Sequence, residues 1–189
     1  MKMFKKLMAV ALAGVLALTV LTGCGSSVDR KEFVRFLNDS FKYSTASGVM
    51  EFSDAGKEQA GKVIALVQEA YNKTADDEKA DFDPKDALKN EVGEVTPSTK
   101  LNPYYESVEK ALGLTKDTKD TYLFNIVTVD KNTSEFNQKY ATSQLAQKAM
   151  ESLVPLVNGG DFGNKGTVSF DTVTLGDTEY LVVVAKIIA

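Results

Sequence analysis

Apolar positions change their spacing three times along the chain, and the changes mark out its parts. Leu7 to Leu21 is an uncharged, almost wholly apolar run of 15 residues. Beyond it the spacing becomes helical. Asp29 and Glu32 stand as an N-cap and its N3 partner, and Phe33, Phe36, Leu37 and Phe41 follow on one face of a helix running to about Tyr43. Lys31, Arg35, Asn38 and Lys42 fall on the opposite face. Ser44 to Gly48 is a small-residue turn, and a second helix opens at Ser53 or Asp54. Ala60, Val63, Ile64, Val67, Ala70 and Tyr71 line its apolar face to about Lys73. Asp83-Pro84-Lys85-Asp86 reads as cap, first-turn proline and N3 acid of a short helix to about Val92. Thr96-Pro97-Ser98 connects, Asn102-Pro103 repeats the device for a helix ending near Gly113, and Leu114 to Thr121 is a polar linker.

The last third changes to a strand pattern. Tyr122 to Val129 is nearly continuous in apolar and β-branched residues, as a strand covered on both faces would be. Asn132 and Glu135 cap a long helix carrying Phe136, Tyr140, Met150, Leu153, Val154 and Val157, which Pro155 kinks or ends. Asn158 to Gly166 is a glycine-rich loop. Thr167 to Leu175 and Glu179 to Ile188 are strands joined at Gly176-Asp177, a pair suited to a type II′ hairpin. The expected fold is one α+β domain over residues 29–189. N-terminal helices (29–113) precede a β-α-β-β unit (121–189) with a mostly antiparallel sheet. No internal repeat appears.

The leading run acquires a meaning from its flanks. Lys2, Lys5 and Lys6 precede it without an acid, and Leu21-Thr22-Gly23-Cys24 closes it. An apolar core this short fits a signal peptide, since a spanning helix takes about 20 apolar residues. Its positive end belongs on the cytoplasmic side. The four closing residues resemble the lipobox of bacterial lipoproteins. That resemblance implies that the Cys24 thiol receives a diacylglycerol and that residues 1–23 are removed. The mature protein then sits on the outer face of a cell membrane, held by long acyl chains such as palmitate. Each buried methylene contributes about 0.8 kcal/mol, so two chains anchor where one is marginal. Residues 24–28 become a lipidated tether, and the five steps from Cys24 to Asp29 reach at most about 17 Å.

Composition narrows what the domain does. Removing the leader and its three lysines leaves 166 residues with 19 basic and 26 acidic side chains, a net charge of −7. An acidic chain with only Arg30 and Arg35 as arginines is a poor nucleic-acid binder. Cys24 is the sole cysteine, so no intrachain disulfide or thiolate metal site forms. Histidine is absent, which removes Ser-His-Asp and Cys-His catalysis and the commonest zinc, copper and nickel ligand. Tryptophan is absent too, which weakens a sugar-stacking platform.

The remaining chemical motifs read more simply as structure. Gly159-Gly160-Asp161-Phe162-Gly163-Asn164-Lys165-Gly166 lacks P-loop spacing and precedes a strand, where a phosphate loop opens a helix. Ser107-Val108-Glu109-Lys110 has the Ser-x-x-Lys spacing of penicillin-recognising enzymes without their companion motifs. Asp81, Asp83 and Asp86 miss the EF-hand pattern, as do Asp130, Asn132 and Ser134, and helix capping accounts for both sets. No spacing singles out a carboxylate pair for glycoside cleavage. The expectation is therefore no catalytic residue, no metal and no cofactor. The domain is expected to be a binding or interaction module facing an envelope protein or cell-wall component. A small-ligand-binding lipoprotein is the alternative, with Tyr104, Tyr105 and Tyr140 at the rim of a pocket; a carboxylate-dependent wall hydrolase ranks behind it. Lys31, Arg35 and Lys42 form a basic stripe placed to face the membrane, each contributing on the order of 1 kcal/mol at an anionic surface.

Overall fold

Helix α1 (Arg30–Ser44) begins where the capping pair places it: the Asp29 carboxylate accepts the Glu32 N–H at 2.9 Å. The computed structural model describes residues 28–44, 51–89, 100–129, 142–148 and 165–188. Strand β1 (Glu51–Asp54), helix α2 (Glu58–Lys73), a 3-10 turn (Lys79–Asp81) and helix α3 (Pro84–Leu88) follow. Then come β2 (Leu101–Asn102), α4 (Glu106–Leu112) and β3 (Thr121–Val129). Residues 142–148 are helical (α5), and β4 (Lys165–Leu175) and β5 (Thr178–Ile187) close the fold as a hairpin. Gly176 turns that hairpin at φ +57°, a region that glycine enters without a Cβ penalty.

The class is α+β, but the sheet is mixed and not mostly antiparallel. Its order is β1-β4-β5-β3-β2. The three long central strands are antiparallel, with β4 and β3 each paired along β5. At the two edges β1 runs parallel to β4 and β2 parallel to β3. Both edge strands arise in the region read as wholly helical, and both were hidden by brevity. In β1 only Phe52 is buried, and four residues give too little alternation to register. The second helix accordingly starts at Glu58, after the strand. Asn102 belongs to β2, so it does not cap the next helix, whose N-cap is Tyr105. That helix ends at Gly113 (φ +71°) as expected, and Asp83 caps α3 by accepting the Lys85 and Asp86 N–H groups at 2.7 and 3.1 Å.

Alternation along the central strands splits the core into two layers. Leu123, Val129, Val168, Phe170, Leu181, Val183, Ala185 and Ile187 face one way and meet Val28, Phe33 and Leu37 of the N-terminal segment and Leu145 and Ala146 of α5. Tyr122, Phe124, Ile126, Val173, Leu175, Val182 and Val184 face the other way and meet Ala60, Val63, Ile64, Val67, Leu88, Val108 and Leu112 of α2, α3 and α4. Asn125 is the polar exception within β3. Its amide donates to the Lys148 carbonyl at 3.4 Å and its oxygen accepts the Ile126 N–H at 2.9 Å, which ties α5 to the strand. The rest of the long helix expected from Asn132 to Val157, with Tyr140 and Pro155, and the loop from Asn158 to Asn164 lie outside the described residues.

Candidate functional site at the N-terminal helix

Val28 is 2% exposed and belongs to the same buried cluster as Phe33 and Leu37. The buried core therefore includes Val28, one residue ahead of the Asp29 cap. Cys24 lies outside the described residues, and the chain from Cys24 to Val28 spans at most about 14 Å.

Two residues after Val28, Arg30 makes the densest set of polar contacts at this end. Its Nε and Nη2 donate to the two Asp54 oxygens at 3.0 and 2.5 Å, a fork-to-fork pair. Nη2 also reaches the Gly56 carbonyl at 2.8 Å, and Nη1 the Phe170 carbonyl at 2.6 Å. The guanidinium lies 4.0 Å from the centre of the Phe170 ring, which also meets Phe33 at 4.4 Å between centroids. The Arg30 hydrogen bonds, with that of the Gly56 N–H, hold the Asp54 carboxyl below the usual carboxylate range. A second bracket lies two turns along α1. The Asn38 amide donates to the Phe52 carbonyl at 2.9 Å and accepts the Phe52 N–H at 2.8 Å. It occupies the outer edge of β1 as a neighbouring strand would, which blocks further strand addition at Phe52.

The three candidate bases are all exposed on α1. Arg35 lies between two acids of its own helix, 2.6 Å from Glu32 and 3.5 Å from Asp39, and the Glu32 hydrogen bond raises its pKa. Glu32 and Asp39 thus offset part of the positive charge of Lys31, Arg35 and Lys42. Asn38, placed with them by the helical pattern, is turned to β1. Next to the clamp, Lys57 pairs with Asp171 at 3.0 Å, and the Ser169 hydroxyl accepts the Ala60 N–H at 3.0 Å in the first turn of α2.

Other sequence candidates are dispersed. Tyr105 is a core residue, its ring edge-on to Phe124 at 5.1 Å, and so lines no rim. Tyr104 is half-buried, and desolvation raises its hydroxyl pKa, with Glu109 and Glu106 adding to the shift. The Ser107 hydroxyl points at the Leu88 carbonyl, 3.5 Å away. Asp83 is engaged by backbone N–H groups. Asp130, Asn132, Ser134 and Tyr140 lie outside the described residues. At the end of β1 opposite the clamp, Glu51, Phe52, Ser53, Lys165, Gly166 and Ile188 line an open groove of about 170 Å³. That is smaller than typical small-molecule sites, which run from about 300 Å³. Ile188, 43% exposed, is the large apolar side chain that the described residues leave outermost.

No family model, curated protein or solved structure matches this chain. Among the described residues no helix is long and apolar enough to cross a membrane.

Arg30 is the clamp position that the local sequence pattern leaves unassigned. Its spacing held a signal: Arg30, Phe33 and Leu37 share one helical stripe, so the guanidinium emerges on the buried side. Its partners, 24 and 140 residues away, were beyond any local pattern.

Proposed function

We propose that the protein is an extracytoplasmic lipoprotein, anchored through a diacylglycerol on Cys24, whose domain acts at the cell envelope by binding and without catalysis. The observation that carries this reading is the buried Val28, four residues after the lipobox cysteine. A tether of about 14 Å places the first turn of α1 at the lipid headgroups. A domain held there meets membrane-embedded or wall-facing partners before it meets soluble ones. The face bearing Lys31, Arg35 and Lys42 is turned toward the bilayer; with Arg35 paired to Glu32 and Asp39 its attraction is reduced, and the acyl chains supply most of the affinity. No nucleic acid, metal or cofactor enters the reading.

Photo-crosslinking in intact cells tests the interaction. A crosslinker at Lys31 or Lys42 should give lipid adducts, and one at Ile188, at the far end of β1, a discrete protein or wall adduct. Release of soluble fragments from isolated cell wall by the purified protein would contradict the non-catalytic reading.

A further inference from the structure

Helix α2 starts partway along its face of the sheet. Its first turn sits over β4 at Ser169, whose hydroxyl accepts the Ala60 N–H, and Lys57 ahead of it pairs with Asp171. Thr167 and Lys165 share that face of β4 by alternation but lie before the helix begins. So do Ser53 and Glu51, their registered neighbours on β1. On β5, Val182 and Val184 enter the core under the helices, and Ile188 continues the same alternation, its N–H donating to the Lys165 carbonyl at 3.1 Å. The strip left uncovered is exposed at Glu51, Ser53, Lys165 and Ile188, and these four side chains line the open groove of about 170 Å³. Elsewhere on this face the charges are matched, Lys57 with Asp171 and Lys186 with Asp120 at 2.8 Å. Glu51 and Lys165 face the same way on adjacent strands, yet neither forms an ion pair with the other or with any described residue.

We propose that this strip docks a second copy of the chain, face to face across a two-fold axis. An axis parallel to the strands and lying between β1 and β4 exchanges the two strands in register. It sets Glu51 against the partner's Lys165 and Ser53 against the partner's Thr167, and each contact is made twice. One acid and one base at registered positions are thus complementary to their own image, a match that a foreign surface does not share. Ile188, one strand over, adds apolar cover beside the ion pairs and strengthens them by excluding water. Standard interfaces engage about 20–30 residues a side, so a strip this narrow pairs weakly and needs concentrated protein. Confinement on a membrane supplies that concentration. The contact itself does not rest on Cys24 and forms whether or not that residue carries lipid.

Sedimentation equilibrium of the full chain in density-matched detergent tests the contact. Wild type should show a reversible equilibrium between monomer and dimer, shifted toward monomer by added salt. Glu51→Lys or Lys165→Glu turns both ion pairs into like-charge contacts, and each should weaken dimerisation at least about tenfold. Combining Glu51→Lys with Lys165→Glu in one chain restores the match and should return affinity to within about threefold of wild type. The two single variants, mixed, should pair with each other while neither pairs with itself, a result that misfolding cannot produce. Wild type that stays monomeric overturns the proposal. So does a dimer that the single variants leave unchanged, a combined variant as weak as the singles, or a mixture that stays monomeric. The mass of the N-terminal peptide from the same sample reports on the anchor separately: dimers with an unmodified Cys24 leave this contact standing and remove the anchor.

Discussion

Gly166 stands at the end of the glycine-rich stretch, where it reads as part of a connector, and the fold gives it a stricter role. It is buried in β4, paired with Phe52. A Cβ there would lie 2.7 and 2.9 Å from two carbons of the Phe52 ring and 2.8 Å from the Lys186 carbonyl oxygen. The ring can move only by leaving a seat in which it is 2% exposed, and the carbonyl only by distorting the β4–β5 ladder. Overpacking of this kind costs about 1–3 kcal/mol. Displacing a buried aromatic adds roughly 1.5–3 kcal/mol, so Gly166→Ala should destabilise by about 3 kcal/mol. For a domain of this size that lowers Tm by roughly 6–12 °C. Urea titration of the purified protein is the assay. Gly61, in α2 with nothing within 4 Å of its Cβ position, is the control. Gly61→Ala should stabilise by up to about 1 kcal/mol. In a Phe52→Ala background two of the three close contacts disappear, so Gly166→Ala should cost at least about 1 kcal/mol less there. A Gly166→Ala variant within about 0.5 kcal/mol of wild type, the scale of ordinary surface changes, would refute the packing argument.

Three further outcomes follow from the N-terminal helix and its contacts. Asp54→Asn should destabilise at neutral pH. Because the folded-state pKa of Asp54 is depressed, its contribution is present above the unfolded value near about 4 and lost as pH falls through the folded pKa, so the two proteins should converge in acid melts. A difference that grows toward low pH would have the wrong sign. Asn38→Ala strips both partners from the Phe52 backbone and should cost about 1–3 kcal/mol in denaturant titrations, with increased self-association through the exposed edge of β1; an unchanged midpoint would argue against the bracket. Glu32→Gln with Asp39→Asn removes both acids paired with Arg35 and so makes the exposed face of α1 more positive by two charges. It should tighten flotation with anionic vesicles, by on the order of 1 kcal/mol per charge unmasked, and leave neutral vesicles unaffected.

Local signals in this chain were legible, and partners distant in sequence were not. Asp29 and Asp83 cap the helices assigned to them because capping is decided within three residues. Tyr122 to Val129 reads correctly as a buried strand because both of its faces are covered, by α5 and α1 on one side and by α2 and α4 on the other. β1 and β2 escaped because an edge strand of two to four residues borrows its stability from a neighbour 21 to 114 positions away. The antiparallel expectation failed for the same reason: the hairpin is local, whereas the parallel edges are built by long-range return of the chain. Helical periodicity sorts α1 into apolar and polar faces but cannot assign polar side chains their partners. Asn38 thus reads as one of the polar face with Lys31, Arg35 and Lys42, and Arg30 goes unassigned, when one completes a sheet edge and the other clamps two strands.

The N-terminal peptide of the protein extracted from its own membranes tests the central claim most directly. Mass spectrometry should find that peptide beginning at Cys24 and heavier by a diacylglycerol. A peptide that retains residues 1–23, or an unmodified Cys24 thiol, would contradict it.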